Sequence, residues 1–423
     1  MCSELLRIPL DWLGTPVLGG VSVGTLLVLT IGVGILKLLA WGRKAKRMAD
    51  AWAYVPGLLI AAAALLLVPR FVSAIPIRGY GVMVLLGSVT GLAMAAYRAR
   101  QRGLSPEVIY SLAFGMFICG ILGARLFFVI EYWKTRFQFD TWQKTLFEIV
   151  KFTEGGLVVY GSLIGATLAF LVFTIRHRLP PLAMADLIAP SLLAGLALGR
   201  IGCLLNGCCY GGESTHPWAI TFPRESMPYM EQVTQGRTFG IKLLEGGGSG
   251  LPLVVGLVDA NTAAADSGLH TGMKIVRLNG SSVDNLEQAN QILFAAFNEN
   301  SALRIENEEG ERFELPATTP RSRSLPVHPT QVYSAIHAAL LAWVLWSFYP
   351  LRRRDGEVTA LMLTIYPISR FLLEMIRIDE SAVFGTGLSI SQNISLVLFI
   401  GAIGMWIYLR RQQPHRAAFG TAS

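Results

Sequence analysis

Residues 182–205 form an apolar run that carries an arginine, Arg200, close to its end. About 20 consecutive apolar residues are enough for a helix to cross a bilayer. A guanidinium inside such a helix costs about 3 kcal/mol or more unless it faces a polar cavity or a partner, which marks Arg200 as a functional residue. The plainer reading is an arginine that snorkels from a helix end before an ordinary turn. The residues around it, Gly199-Arg200-Ile201-Gly202-Cys203-Leu204-Leu205-Asn206-Gly207-Cys208-Cys209-Tyr210-Gly211, favour the first reading. Their glycines and Asn206 suit unwound backbone that approaches another group closely.

The rest of the chain is of the same kind. Of its 423 residues, 52% are hydrophobic and 15% charged, which excludes an ordinary soluble enzyme and points to a polytopic membrane protein. The net charge of +8 calls for no nucleic-acid partner, because much of the excess lies in short basic clusters between apolar runs. No small-residue cleavage site follows the first run, which is therefore expected to be a span.

The apolar runs are 17–40, 51–68, 80–97, 108–130, 155–175, 182–205, 331–349, 358–376 and 389–409. Basic clusters follow the first, third, fifth, seventh and ninth. Such alternation predicts an all-α bundle of about nine spans with the N-terminus outside and the C-terminus in the cytoplasm. The long polar stretch after Gly211 is then extracytoplasmic. The same topology puts Tyr80, Arg125, Tyr160, Arg200, His328, Gln331, Tyr333 and Arg370 at one depth, in the outer half of the membrane. Scattered polar residues have no reason to agree in depth, whereas one shared cavity explains it. In the eighth run Tyr366, Arg370, Glu374 and Arg377 lie on one helix face, where Arg370 and Glu374 can pair. A bundle-stitching ion pair is the alternative use of that face.

Within the polar stretch, residues 236–318 read as a small separate α+β domain. Strand-like runs surround the Asn279-Gly280 turn, and 286–297 has helical apolar spacing. This segment resembles a PDZ domain through Ser267-Gly268-Leu269, Gly272-Met273 and Val276-Arg277-Leu278-Asn279-Gly280. The resemblance implies a groove for a peptide ligand, with Arg237-Thr238-Phe239-Gly240-Ile241 as the carboxylate-binding loop. A spacer without a ligand is the alternative.

In order along the chain stand Arg78-Gly79-Tyr80-Gly81, Gly123-Ala124-Arg125-Leu126, Gly155-Gly156-Leu157 with Tyr160-Gly161, Gly199-Arg200, Asn206-Gly207, Gly211, His328-Pro329-Thr330-Gln331-Val332-Tyr333, and Arg370-Phe371 with Glu374 and Arg377. Leu388-Ser389 and Gln392 complete the series. The order resembles that of the prolipoprotein diacylglyceryl transferase family. The resemblance implies a core in two parts, 78–212 and 328–423, split by an insert at 213–327 and preceded by an extra hairpin at 1–77. It implies an integral protein of the bacterial cytoplasmic membrane whose partners are phosphatidylglycerol and prolipoprotein signal peptides, with no cofactor and no metal. The implied reaction moves a diacylglyceryl group onto a lipobox cysteine thiol and releases glycerol phosphate. The implied catalytic residues are Arg200, Arg370, Tyr160 and Tyr366, with guanidinium forks suited to phosphate oxygens. Substrate contacts fall to Tyr80, Arg125, Asn206, Gly211, His328, Gln331, Tyr333, Glu374 and Arg377.

The chain departs from the family pattern at several positions. Tyr160 stands where characterised members carry a critical His, Cys203 where the signature has Asn, Cys208 where it has an acid, and Ser334 where Glu is frequent. A phenol with a pKa of about 10 is a poor base near neutrality. Cys203, Cys208 and Cys209 have three open uses: a disulfide bracing the turn, a thiolate activated beside Arg200, or a soft metal whose fourth ligand is not evident, His216 being the nearest His in sequence. A non-catalytic phospholipid-binding protein that recruits a client through the PDZ-like domain is the second functional reading.

Overall fold

The computed structural model describes residues 4–9, 74–139, 141–151, 155–156, 158–245, 253–317, 321–377, 382–383, 385–417 and 419. The first two predicted spans, 17–40 and 51–68, lie outside the described residues. The chain divides into two compact units, 1–82 and 83–423. In the first, β1 (Glu4–Pro9) pairs antiparallel with β2 (Ala74–Arg78). The sequence reading had only a proline-bounded link before Arg78. Among the described residues β2 pairs with β1 alone, and a Pro is tolerated in such an edge strand, so Pro76 concealed it.

Among the described residues, six helices are long and apolar enough to cross a membrane: α1 (Gly79–Gln101), α2 (Pro106–Glu131), α4 (Val159–Arg176), α5 (Pro181–Asn206), α8 (Thr330–Phe348) and α10 (Ile390–Arg411). A short amphipathic helix, α3 (Trp142–Val150), lies between α2 and α4. A further long helix, α9 (Glu357–Glu374), packs on α8 and α10. Its charged residues, Glu357, Arg370 and Glu374, keep it out of the apolar set. Each of the seven runs predicted after residue 78 therefore contains one helix. Exposed Leu, Ile, Val and Phe side chains stud these helices, as expected where the surrounding medium is lipid.

Two kinds of contact hold the bundle. Glycines allow backbones to touch: a Cβ on Gly123 would run into the Gly161 carbonyl, and one on Gly165 into that of Cys119. Small residues at such crossings supply the packing that drives helix association in lipid. Polar clamps act at the other end from Arg200. Asp186, fully buried near the start of α5, accepts bonds from Gly356 N, Thr359 N and Thr359 Oγ1, each at 2.8 Å, and pairs with buried Arg352 at 3.3 Å. It caps α9 from a neighbouring helix. Arg98 stacks on Trp346 and Tyr349 nearby. The arginines that end α1 and follow α8 thus gather at one end of the bundle, as the alternation of basic clusters anticipates.

Between α5 and α8 the chain forms α6 (Met227–Thr234), then β3 (Ile241–Glu245), β4 (Leu253–Val258), β5 (Lys274–Leu278), β6 (Ser281–Ser282), α7 (Leu286–Asn298), β7 (Leu303–Asn307) and β8 (Arg312–Leu315). The strands form one sheet in the order β3-β4-β5-β7-β8, with β6 on β5. Ile241, Leu243, Val255, Ile275, Leu278, Leu293 and Ile305 fill a core separate from that of the bundle. Asn285 caps α7 by accepting from Gln288 N, and Asn279 and Gly280 take left-handed φ in the turn read from sequence.

Candidate functional site

The end of the bundle opposite Asp186 is built around the C-terminus of α5. Gly207, at φ 75°, stops the helix in the left-handed conformation that glycine takes at low cost. The chain then turns back under α8 and α9. Thr330 Oγ1 donates to the Cys209 carbonyl at 2.6 Å, and Gln331 Nε2 to the Cys208 carbonyl at 2.7 Å. Gly211 donates to the His328 carbonyl at 3.0 Å, and Gly212 to that of Ile376 at 3.0 Å. A Cβ at Gly211 would sit 2.7 Å from His328 Cβ and 2.8 Å from Thr330 Cγ2, so only glycine fits there. Gln331 and Gly211, expected as substrate contacts, thus clamp the loop, and His328 and Gly211 form part of its backbone.

Arg370 and Glu374 lie at the end of α9, and Arg377 follows it in a single antiparallel bridge to Gly211. Glu374, 5% exposed, pairs with Arg370 and lies 3.7 Å from Arg377. Arg370 also donates to Ser391 Oγ at 2.9 Å, and the Tyr160 hydroxyl meets the same oxygen at 3.1 Å. Ser391 sits in the first turn of α10, fixed by a capping box between Ser389 and Gln392. The expected residues Tyr160, Arg370, Glu374 and Arg377 therefore form one connected group. Arg377 and Arg200 both act electrostatically on the Cys209 thiol, which links that group to α5. Hydrogen bonds from the Cys203 and Cys208 thiols, then those two cations, hold the Cys209 thiol below its ordinary pKa. The Cys208 thiol donates to the Cys203 carbonyl at 3.7 Å, and Asn206 ends α5 just before it. The three sulfurs lie within 4.8 Å of one another and are unbridged.

Arg125, Tyr366, His328 and Tyr333 have other partners. Arg125 gives its donors to backbone carbonyls, those of Ile149, Glu148, Lys151, Gly155 and Gly156. That use closes the loop before α4. Tyr366 packs against the bundle core with its ring 6.4 Å from His337. Tyr80 belongs to the first unit. His328 and Tyr333 join residues the sequence reading did not select: Trp218 Nε1 donates to Tyr333 Oη at 2.7 Å, and His216 stacks on Trp218. Ser391 and Asp186 were also missed. Asp186 had a signal, since it is an acid inside an apolar run, but Ser391 had none beyond its place next to a cap.

Two cavities adjoin this end. One, of about 660 Å³, is lined by apolar side chains including Met94, Leu198, Ile201, Ile336, Trp343 and Trp346, and reaches the residue after Arg200. The other, of about 740 Å³, is polar and runs from His216 and His328 to Glu213, Arg237 and Asp259. Buried Arg237 ties the small domain down, reaching Glu213 at 2.8 Å and Asp259 at 3.0 Å. In its loop the amides of Phe239, Gly240 and Ile241 donate to carbonyls of Gly236 and Arg237, so that loop satisfies itself.

A helical membrane bundle with an arginine-rich polar group at one end and an apolar groove beside it defines a polytopic membrane protein built to meet lipid. The model of the prolipoprotein diacylglyceryl transferase family matches residues 69–408. A Rhodopirellula baltica protein named phosphatidylglycerol–prolipoprotein diacylglyceryl transferase is 32% identical over 95% of this chain and 88% of its own. A Clostridium perfringens protein, the second transferase so named there, is 25% identical over 77% of this chain and 89% of its own. One from Trichormus variabilis is 32% identical over 37% of this chain and 54% of its own. The chain belongs to the prolipoprotein diacylglyceryl transferase family.

Proposed function

We propose that this protein transfers the diacylglyceryl group of phosphatidylglycerol to the lipobox cysteine of prolipoproteins at the Arg200–Arg370 end of the bundle. The observation that carries the reading is one connected group, in which Arg370 and Arg377 flank Glu374, Arg370 and Tyr160 share Ser391, and Arg377 bridges to Gly211 just after the thiols, on which Arg200 also acts. Family membership supports it. In this reading the apolar groove beside Ile201 takes an acyl chain, and the arginines neutralise the departing glycerol phosphate. Fixed cations aimed at developing charge are worth about 3–4 kcal/mol each in a dry site. Arg125, Gln331 and Gly211 position the site, while Asn206, Tyr333 and His328 line the approach. Tyr80 and Tyr366 are assigned to the lipid and to Arg370 respectively, on the resemblance alone.

The orientation belongs to the same proposal: the Arg200 end and the insert lie outside, and the basic end lies in the cytoplasm. So does the PDZ-like identity of residues 236–318, supported by the sheet with β3 at one end of its strand order and α7 packed against it. A peptide carboxylate would have to displace the loop's own hydrogen bonds. The decisive experiment measures the mass of a lipobox peptide incubated with purified protein and phosphatidylglycerol. A diacylglyceryl adduct is expected, reduced by about 100-fold or more in Arg200→Ala and in Arg370→Ala. Full activity in either variant refutes the assignment. Phosphatidylglycerol binding with no adduct selects the non-catalytic reading.

A further inference from the structure

The thiol cluster is the part of this end that the lipid chemistry leaves unused. Three features distinguish it from incidental cysteines. The sulfurs of Cys203, Cys208 and Cys209 lie within 4.8 Å of one another, and three thiolates on one zinc ion, with Zn–S near 2.3 Å, stand about 3.8 Å apart. Their backbone is fixed from outside: α8 holds the carbonyls of Cys208 and Cys209 through Gln331 and Thr330. Cys209 is kept at φ 58°, a conformation unfavourable for a residue with a Cβ, and strain of this kind persists only where the surroundings impose it. No described His, Asp or Glu joins the three sulfurs as a fourth ligand. A structural zinc site is closed by four protein ligands, whereas a catalytic one keeps a position open.

The surroundings suit such an ion. Three thiolates and one divalent cation leave a net charge of about −1, while Arg377 bridges to Gly211 two residues past Cys209 and, with Arg200, acts electrostatically on that thiol. Two side chains of the same end that could act on the incoming thiol are engaged elsewhere. Glu374 is held between Arg370 and Arg377, and the Tyr160 hydroxyl is engaged with Ser391.

We propose that Cys203, Cys208 and Cys209 form an open three-thiolate site for a zinc-class divalent cation, whose fourth position takes the sulfur of the substrate cysteine. A coordinated thiol is deprotonated outright, so the ion does the work of a base. Loading the ion releases the protons of the three thiols to water, and binding the substrate thiol releases its proton likewise. The bound substrate sulfur then gives an electron pair to the glyceryl carbon next to the phosphate oxygen. The S–C bond forms as the C–O bond breaks, and that bond's electron pair leaves on the oxygen of glycerol phosphate, facing the arginines. The thioether product is uncharged and a weaker ligand, so it departs. Nothing is oxidised or reduced. This step rests on the transferase reading above; the metal site itself does not.

The test uses the full chain purified in detergent without added chelator. Elemental analysis is expected to find about one zinc per chain, lost in Cys203→Ser, Cys208→Ser and Cys209→Ser. Cobalt(II) exchanged into the wild-type protein is expected to show thiolate-to-metal charge-transfer absorption. That spectrum should change on adding a lipobox peptide and stay unchanged with the same peptide carrying serine for cysteine. This readout needs no variant to fold. Stripping zinc should lower transfer more than about tenfold, and zinc should restore it. Absence of metal, a disulfide among the three cysteines, or a cobalt spectrum indifferent to the peptide thiol overturns the proposal. Transfer that persists in the metal-free protein also overturns it while leaving the transferase reading standing. A peptide-sensitive metal site with no transfer under any loading removes the transferase reading instead.

Discussion

Glu374 shows how single side chains set this site. It is nearly inaccessible and lies between two arginines, so its charge keeps both guanidinium groups in place. Glu374→Gln keeps the volume and removes the charge. Removing one partner of a buried pair costs about 3–5 kcal/mol, mostly from the charges left behind. Transfer by this variant is expected to fall about 100-fold or more, with thermal unfolding also lowered. An unchanged rate in the peptide assay would mean that the arginines are held by other groups. The pairing of Arg370 with Glu374 was readable from their four-residue spacing. The shared oxygen of Ser391 was not, because it joins residues 231 positions apart. The partners of Arg125 were equally hidden. Its residue type suggests an anion, yet the carbonyls that satisfy it come from a loop whose path no local pattern reveals.

At the scale of the element, the crossing of α2 and α4 decides where Tyr160 stands. Gly161, next to it, and Gly123 touch backbone to backbone. Overpacking such a contact costs about 1–3 kcal/mol and moves the helices rather than a flexible side chain. Gly161→Val is therefore expected to lower the thermal midpoint in detergent by several degrees and to loosen the Tyr160–Ser391 contact, with a partial loss of transfer. Wild-type stability in this variant would show that the two helices do not meet there. The helices themselves were legible as apolar runs, including α9 despite its three charges. Partner choice was not legible, because lipid-facing and helix-facing sides are equally apolar and amphipathic contrast is weak. The strand β2 escaped for another reason: its partner lies about 70 residues earlier, and a proline obscures its alternation.

Across the whole molecule, the insert's core and the bundle's core are separate, and Arg237 with Glu213 and Asp259 ties the two within one unit. Replacing residues 241–315 by a flexible linker is expected to leave transfer to a short lipobox peptide within about threefold, because no residue of the arginine and thiol groups lies there. Transfer to full-length prolipoproteins should change more. A complete loss with the short peptide would place part of the reaction site in the insert.

Sequence by itself determined the helices after residue 78, the basic clusters between them and the run of strands and helix between α5 and α8. Hydrophobic run length and charge follow directly from partition between water and lipid. The tertiary structure alone decided that Asp186 caps α9, that Ser391 joins Tyr160 to Arg370, and that three cysteines converge beneath Thr330 and Gln331. Each of those depends on where one helix end meets another, and buried polar groups choose their partners only once packing has removed water.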